Sequence, residues 1–273
     1  MLFKYLPPER VDVLENLRIR FSPLRSLNDP FESMPLVDTT EQREQLVQET
    51  LQELDELWTN AHQDDKTDDN FRQLEEARAG ALELIDRRLD SAEVGKSLID
   101  LIGSKLGILS LCRTEVSLLM WSHYTNEGKG FVIGFDDSHP FFQELSASNR
   151  PTGPIPIVYS MKRNKVSNQD KRFYERLLCE KPIDWSYEEE ERVFRLYLSN
   201  DGSIGKDGYA QEIFLTELPK EVIQSVYIGY RADSSLVDAL LAALDNHAID
   251  CQVYKSQISQ NEYKIKFEGL VRA

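Results

Sequence analysis

One stretch constrains the fold of this chain more than any other: Tyr187-Glu188-Glu189-Glu190-Glu191-Arg192-Val193-Phe194-Arg195-Leu196-Tyr197, following Lys181-Pro182-Ile183-Asp184-Trp185. In a β-strand, alternate side chains face opposite ways. Glu188, Glu190, Arg192, Phe194 and Leu196 then share one face, with Glu189, Glu191 and Arg195 on the other. Phe194 and Leu196 favour a core, so two carboxylates and a guanidinium are drawn to the sheltered side. Charges placed there need a partner or a task. The competing form is a helix, with Ser186 and Glu189 as a capping box and Val193, Phe194 and Tyr197 on one face. The glutamates would then be a solvated first turn, favoured by the helix dipole. The β-forming Val, Phe and Tyr, among other short strand-like runs, favour the strand.

At 273 residues the chain can bury an ample core, and its short linkers favour a single domain over 1–273. No run reaches the roughly 18 apolar residues that span a bilayer, so no membrane partner is expected. The start, Met1-Leu2-Phe3-Lys4-Tyr5-Leu6-Pro7-Pro8, has no apolar core of a secretory signal, which implies a cytoplasmic location. Cys112, Cys179 and Cys251 are odd in number and far apart, and the four histidines lack ligand spacing. Neither a disulfide framework nor a metal is expected. The net charge of −15 is uneven: residues 41–100 hold seventeen acidic and seven basic residues, a balance of −10. Lys162, Arg163, Lys165, Lys171, Arg172 and Arg176 form a basic stretch, either a solvated surface or a loop facing phosphates.

Residues 2–5 read as a strand, 8–17 as a helix and 18–22 as a strand. The turn Ser26-Leu27-Asn28-Asp29-Pro30-Phe31-Glu32 follows, with Pro30 pushing Asp29 out of the helical region. From 40 to 102 the pattern is helical and acidic, with leucines at helical spacing and a polar break at 62–69. It reads as a helical hairpin inserted in, or laid against, a sheet-based core. Its apolar stripes are packing surfaces, or a site for a protein partner within residues 41–100. After Gly103 come short β-rich runs at 108–112, 131–135, 155–159, 193–197, 213–215, 226–228, 251–254 and 263–267. Helices are expected at 115–124, 171–179 and 234–247. The class is α+β with a mixed or antiparallel sheet core.

Two further clusters accompany the glutamates. Cys112-Arg113-Thr114-Glu115 and Ser117-Leu118-Leu119-Met120-Trp121-Ser122-His123-Tyr124 lead through Gly128-Lys129-Gly130 into Phe131-Val132-Ile133. His123 and Tyr124 then end a short helix where rings can edge a pocket, or else cap it and fill the core. The other cluster is the turn from Asn28 to Glu32. Together with Leu2-Phe3-Lys4-Tyr5 and Lys181…Trp185-Ser186-Tyr187-Glu188-x-Glu190-x-Arg192, these motifs resemble those of a bacterial family of unknown function. Phe3 stands where that family usually has an aromatic hydroxyl.

The order of the motifs also resembles ADP-ribosyltransferases, whose first strand bears a polar anchor and whose late strand bears a catalytic glutamate. That resemblance implies catalytic roles for Glu190 and Glu188. It implies NAD contacts from Lys4, Tyr5, Asn28, Arg113, Ser122, His123, Tyr124, Trp185 and Arg192. Neither Lys4 nor Tyr5 is the usual Arg or His anchor. The implied activity is an NAD-consuming transferase or glycohydrolase, suited to a toxin or phage-defence effector, with a protein or nucleic-acid acceptor. Cleavage at ribose passes through an oxocarbenium-like state that a preorganised carboxylate stabilises. The alternatives are a non-catalytic sensing or interaction module using the acidic hairpin, and a hydrolase with paired carboxylates. Glu-x-Arg is a poor substitute for the Glu-x-Lys of metal nucleases.

Overall fold

The computed structural model describes residues 1–103, 105–143, 153–197 and 202–271. Among these, strands of the main sheet run at Leu2–Leu6 (β1), Ser22–Pro23 (β2), Leu106–Cys112 (β3), Phe131–Phe135 (β4), Ile155–Pro156 (β5), Glu190–Leu196 (β6), Ile223–Ile228 (β7), Gln252–Ile258 (β8) and Ile265–Gly269 (β9). The α-helices are Asp12–Asn16 (α1), Thr40–Asn60 (α2), Asp68–Arg88 (α3), Ser91–Ile102 (α4), Leu118–Tyr124 (α5), Phe173–Leu178 (α6) and Ser234–Asn246 (α7). The chain divides into two compact units, one of Met1–Asp29, Ile102–Lys162 and Cys179–Ala273, the other of Pro30–Leu101 and Arg163–Leu178.

The first unit carries a mixed sheet in the order β9-β8-β7-β4-β1-β3-β6-β5, with β2 also beside β3. Only β7 and β8 are parallel in it; the other pairings are antiparallel. All five residues of β4, Phe-Val-Ile-Gly-Phe, are buried, as expected of a central strand covered on both faces. One core joins Leu2, Leu6, Leu109, Leu111, Phe131, Ile133 and Val193 to Leu236, Leu240 and Leu244 of α7. A second, aromatic cluster gathers Phe3, Tyr5, Cys112, Met120, Trp121, Val132 and Tyr227. Alternation along β1 accounts for both: Leu2 and Leu6 serve the first core, Phe3 and Tyr5 the second. Helix α7 starts on Asp233, whose carboxylate accepts from the Leu236 N–H at 2.8 Å. The turn between α5 and β4 needs Gly128, at φ +81°, where an added Cβ would run into the Tyr230 ring.

The glutamate-rich segment is a strand from Glu190 onward, which overturns the helical alternative. Glu188 belongs instead to a 3-10 turn at Ile183–Glu188, and Glu189 takes a left-handed conformation at φ 42° between turn and strand. The expected core face is also corrected. Leu196 is 62% exposed and Phe194 half-buried, whereas Val193, of opposite parity, packs with Leu109 and Leu111. Glu190, Glu191, Arg192 and Val193 are all buried, because the start of this strand lies inside the sheet between β3 and β5. The helix expected over 8–17 is a 3-10 turn at Pro8–Val11 followed by α1, and Leu17 closes it in the left-handed region. Helix α5 starts later than expected, capped by the Ser117 hydroxyl, which accepts from the Met120 N–H at 3.4 Å. The run at 155–159 is interrupted, with β5 followed by a separate strand at Val158–Ser160.

In the second unit, Leu36–Asp38 pairs in parallel with Lys165–Ser167. Helices α2 and α3 form an antiparallel hairpin, tied by Arg43–Asp86 at 2.6 Å, Arg78–Asp55 and a Trp58–Phe71 edge contact at 5.4 Å. The break between them falls in the polar run, with the Thr67 hydroxyl capping α3. Helix α2 buries no residue and α3 only Ile85, so the apolar seam of this hairpin is half-open.

Candidate functional site

The run from Lys181 to Arg192 meets Tyr159, Tyr124 and Asn28, all distant in sequence, around two carboxylates in the first unit. Glu190 opens β6, and its backbone N–H donates to the Tyr159 hydroxyl at 2.8 Å. The Glu188 carboxylate comes from the preceding 3-10 turn. Between them lies the ammonium of Lys181, on a short strand at Glu180–Pro182 that runs parallel to Val158–Ser160. Its Nζ donates to Glu188 Oε2 at 2.7 Å and to Glu190 Oε2 at 2.8 Å. The two acceptor oxygens are therefore no more than 5.5 Å apart. Arg192, two residues along the strand on the same face as Glu190, donates from Nε to Glu190 Oε1 at 2.8 Å.

Glu188 faces outward through a different set of groups. The Tyr124 hydroxyl, at the end of α5, donates a short hydrogen bond to Glu188 Oε1. The exposed Asn28 amide donates to that same hydroxyl at 2.8 Å. Beside this pair lies a rim of rings: His123 Nδ1 is 3.1 Å from the Tyr187 hydroxyl, the two rings meet edge-on at 5.7 Å, and Tyr187 lies 6.1 Å from Trp185. The Lys181 ammonium sits 5.3 Å from the centre of the Trp185 ring.

Burial dominates the electrostatics. Lys181 and Glu188 are each only 4% exposed, as is Glu190, and Arg192 is 1%. Burial opposes the charge of Lys181, but the carboxylates of Glu190 and Glu188 outweigh it and hold the ammonium charged well above the ordinary lysine range. Burial pushes the Glu190 carboxyl up, against Lys181 and a Ser110 hydrogen bond. Arg192 is lowered by burial to about 9, with Asp29 opposing, so it stays cationic at neutral pH. Lys4 is lowered to about 8 by burial, opposed by the nearby Glu190 and Glu188 charges. Its Nζ donates to the Ser110 carbonyl at 2.8 Å. Tyr124 is raised by burial and by the Glu188 charge, which keeps its phenol protonated as a donor.

The structure thus brings Glu188, Glu190, Arg192, Lys4, Tyr124 and Asn28 together, with His123 and Trp185 on the adjacent rim. The other expected residues lie elsewhere. Tyr5 is in the aromatic core against Trp121 and donates to the Thr114 carbonyl at 2.8 Å. Arg113 is paired with Glu191. Ser122 is exposed on α5. Sequence reasoning passed over Lys181, Tyr159 and Tyr187 as site residues. A lysine in a β-like run seven and nine residues before two glutamates was a usable signal for Lys181; Tyr159 offered none.

Chemically, the site offers one carboxylate clamped between two cations and a second that reaches the surface through a phenol and an amide. Among the described residues no group of His, Cys, Asp or Glu is arranged to hold a metal ion. Nor is any helix there long and apolar enough to cross a membrane. Residues 120–193 match a protein family of unknown function, DUF2971. That stretch includes Tyr124, Lys181, Glu188, Glu190 and Arg192. No curated protein and no solved structure matches the chain.

Proposed function

We propose that this chain cleaves the bond between nicotinamide and ribose in NAD and passes ADP-ribose to water or to an acceptor. The observation that carries the reading is the division of labour within the carboxylate pair. Glu190 is engaged by Lys181 and Arg192, an anchor's role. Glu188 connects through Tyr124 and Asn28 to the surface, beside rings able to stack on a flat heterocycle. Of the two glutamates, Glu188 is therefore the reacting carboxylate and Glu190 its anchor.

In this reaction the C1′–N bond breaks and its electron pair leaves with neutral nicotinamide. The positive charge left at C1′ and the ring oxygen is stabilised by the Glu188 carboxylate, which Lys181 holds in place at 2.7 Å. A water or acceptor oxygen then bonds to C1′ and gives its proton to Glu188. Because Glu188 is covered here, substrate entry requires the Asn28–Tyr124 hydrogen bond to open, and a ribose hydroxyl then replaces the phenol.

The test is turnover of NAD labelled in nicotinamide. Glu188→Gln is expected to lower kcat at least about 100-fold while the fold, read by circular dichroism, is kept. Wild-type protein that releases no nicotinamide, with protein and nucleic-acid acceptors supplied, would overturn the reading. A second reading has its own observation. The carboxylates are fully paired and the acidic hairpin leaves Leu46, Leu57, Phe71 and Leu84 between 39% and 67% exposed, as a non-catalytic interaction module would. In that case Glu188→Gln changes stability and nothing else.

A further inference from the structure

An apolar surface adjoins the ring rim and plays no part in the chemistry above. Val116 (45% exposed), Leu118 (43%) and Leu119 (47%) fall within four consecutive residues at the start of α5, and Ile183 (44%) opens the neighbouring 3-10 turn. The two segments are joined: the Ser117 hydroxyl donates to the Tyr187 carbonyl at 3.4 Å. Leu119 lies one helical turn before His123, whose ring meets Tyr187 edge-on at 5.7 Å, which sets the apolar side of α5 next to the rim. Scattered exposed apolar side chains are ordinary, but four large ones on two joined segments mark a contact site.

Charge decides the kind of partner. In the chain this surface is flanked by the acidic Glu115 and the exposed Asp184 and by the imidazole of His123; of the nearby cations, Arg113 is engaged by Glu191 and Lys181 is buried against Glu188 and Glu190. The whole chain carries −15. A phosphate backbone is repelled by such surroundings, whereas a peptide with lysine or arginine beside an apolar residue is attracted.

We infer that the surface of Val116, Leu118, Leu119 and Ile183 docks a protein segment presenting an apolar side chain flanked by basic residues, and that this segment is the ADP-ribose acceptor. The acceptor role rests on the proposed NAD chemistry; the docking does not. The position fits the role, since a segment held there lies beside the rim and so beside the surface-reaching side of Glu188.

The experiment uses the full chain and a fluorescein-labelled alternating Lys-Leu peptide, read by anisotropy. A Glu-Leu peptide and a single-stranded oligonucleotide serve as comparisons. The Lys-Leu peptide is expected to bind at least about tenfold more tightly than either comparison. The neutral double variant Leu118→Ser/Leu119→Ser should weaken it about tenfold, while Leu119→Met preserves it. Because these changes leave every charge in place, attraction to the acidic hairpin is unaltered. With labelled NAD, the same peptide carrying one serine as the acceptor oxygen should become modified by wild type and far less by the double variant, while nicotinamide release to water is unchanged. Preference for the oligonucleotide, no binding of the Lys-Leu peptide, or equal binding by the double variant would each overturn the docking. Binding as expected with no nicotinamide release would instead remove the NAD chemistry and with it the acceptor role.

Discussion

Lys181→Met probes the centre of the site. One ammonium lies 2.7 and 2.8 Å from two carboxylates, all nearly sealed from water. With charge centres about 4 Å apart and an effective dielectric of about 20, each contact contributes about 4 kcal/mol, or about 8 for both. The variant no longer desolvates an ammonium, which offsets several kcal/mol, and one carboxylate can take up a proton instead. The net loss expected is about 3–5 kcal/mol, as for other buried pairs broken on one side. Urea unfolding followed by tryptophan fluorescence reads it, since Trp185 lies beside the Lys181 ammonium and Trp121 is fully buried in the same unit. The deficit should also depend on pH. In the variant the Glu190 carboxyl, which burial already pushes up, loses the opposing Lys181 charge and keeps a raised folded pKa. Such groups stabilise the fold below their unfolded pKa of about 4.3 and lose that contribution as pH rises through the folded value. The wild-type ammonium, raised above the lysine range, stays charged throughout, so the deficit is smaller near pH 5 than at pH 8. Lys181→Met/Glu188→Gln, which removes one charge of each sign and keeps Glu190 with Arg192, should recover about 1–2 kcal/mol of the loss. A deficit below about 1 kcal/mol, or a double variant less stable than the single, refutes the pairing argument.

Two further predictions concern the scaffold. Gly128→Ala meets both the positive φ of +81° and the Tyr230 ring, and should destabilise the first unit by about 2 kcal/mol or more, measured by the same unfolding curves. Asp207 accepts from Arg20 and Ser26, each at 2.6 Å, and from the Tyr209 and Gln211 N–H groups, each at 2.9 Å. Burial would raise its carboxyl, but Arg20 and then these hydrogen bonds hold it well below the usual carboxylate range. Asp207→Asn should cost about 1–3 kcal/mol at pH 7. A depressed carboxylate contributes fully above its unfolded pKa of about 3.9 and loses its contribution as pH falls, so the two proteins should converge in stability towards pH 2. A difference that persists in acid would assign the effect to shape instead.

Much of the sheet was legible because its strands carry local signals. β4 is an apolar run bounded by glycine and aspartate, and the helical hairpin announces itself by leucine spacing and a polar break. That Glu190 and Arg192 share a face followed from alternation alone. The place of Glu188 did not, because Glu189 adopts φ 42° and breaks the alternation where it seemed strongest. The core face of β6 was misread for a related reason. Phe194 and Leu196 look like core residues, but burial depends on what packs against the sheet, and that cover lies over Glu190 to Val193. Lys181 was missed because its position depends on pairing with a strand twenty-two residues earlier, at register Lys181↔Tyr159.

The position of β1 has a consequence of its own. In the sheet of the described residues it is the only link between β9-β8-β7-β4 on one side and β3-β6-β5 on the other. Its partners, Cys112 and residues 131–135, lie more than a hundred positions downstream. Were those five residues displaced, the sheet would part into two halves, each with a fresh unpaired margin inviting self-association. Lys4 sits on this seam, so whatever loosens the seam also withdraws a positive charge from beside both glutamates.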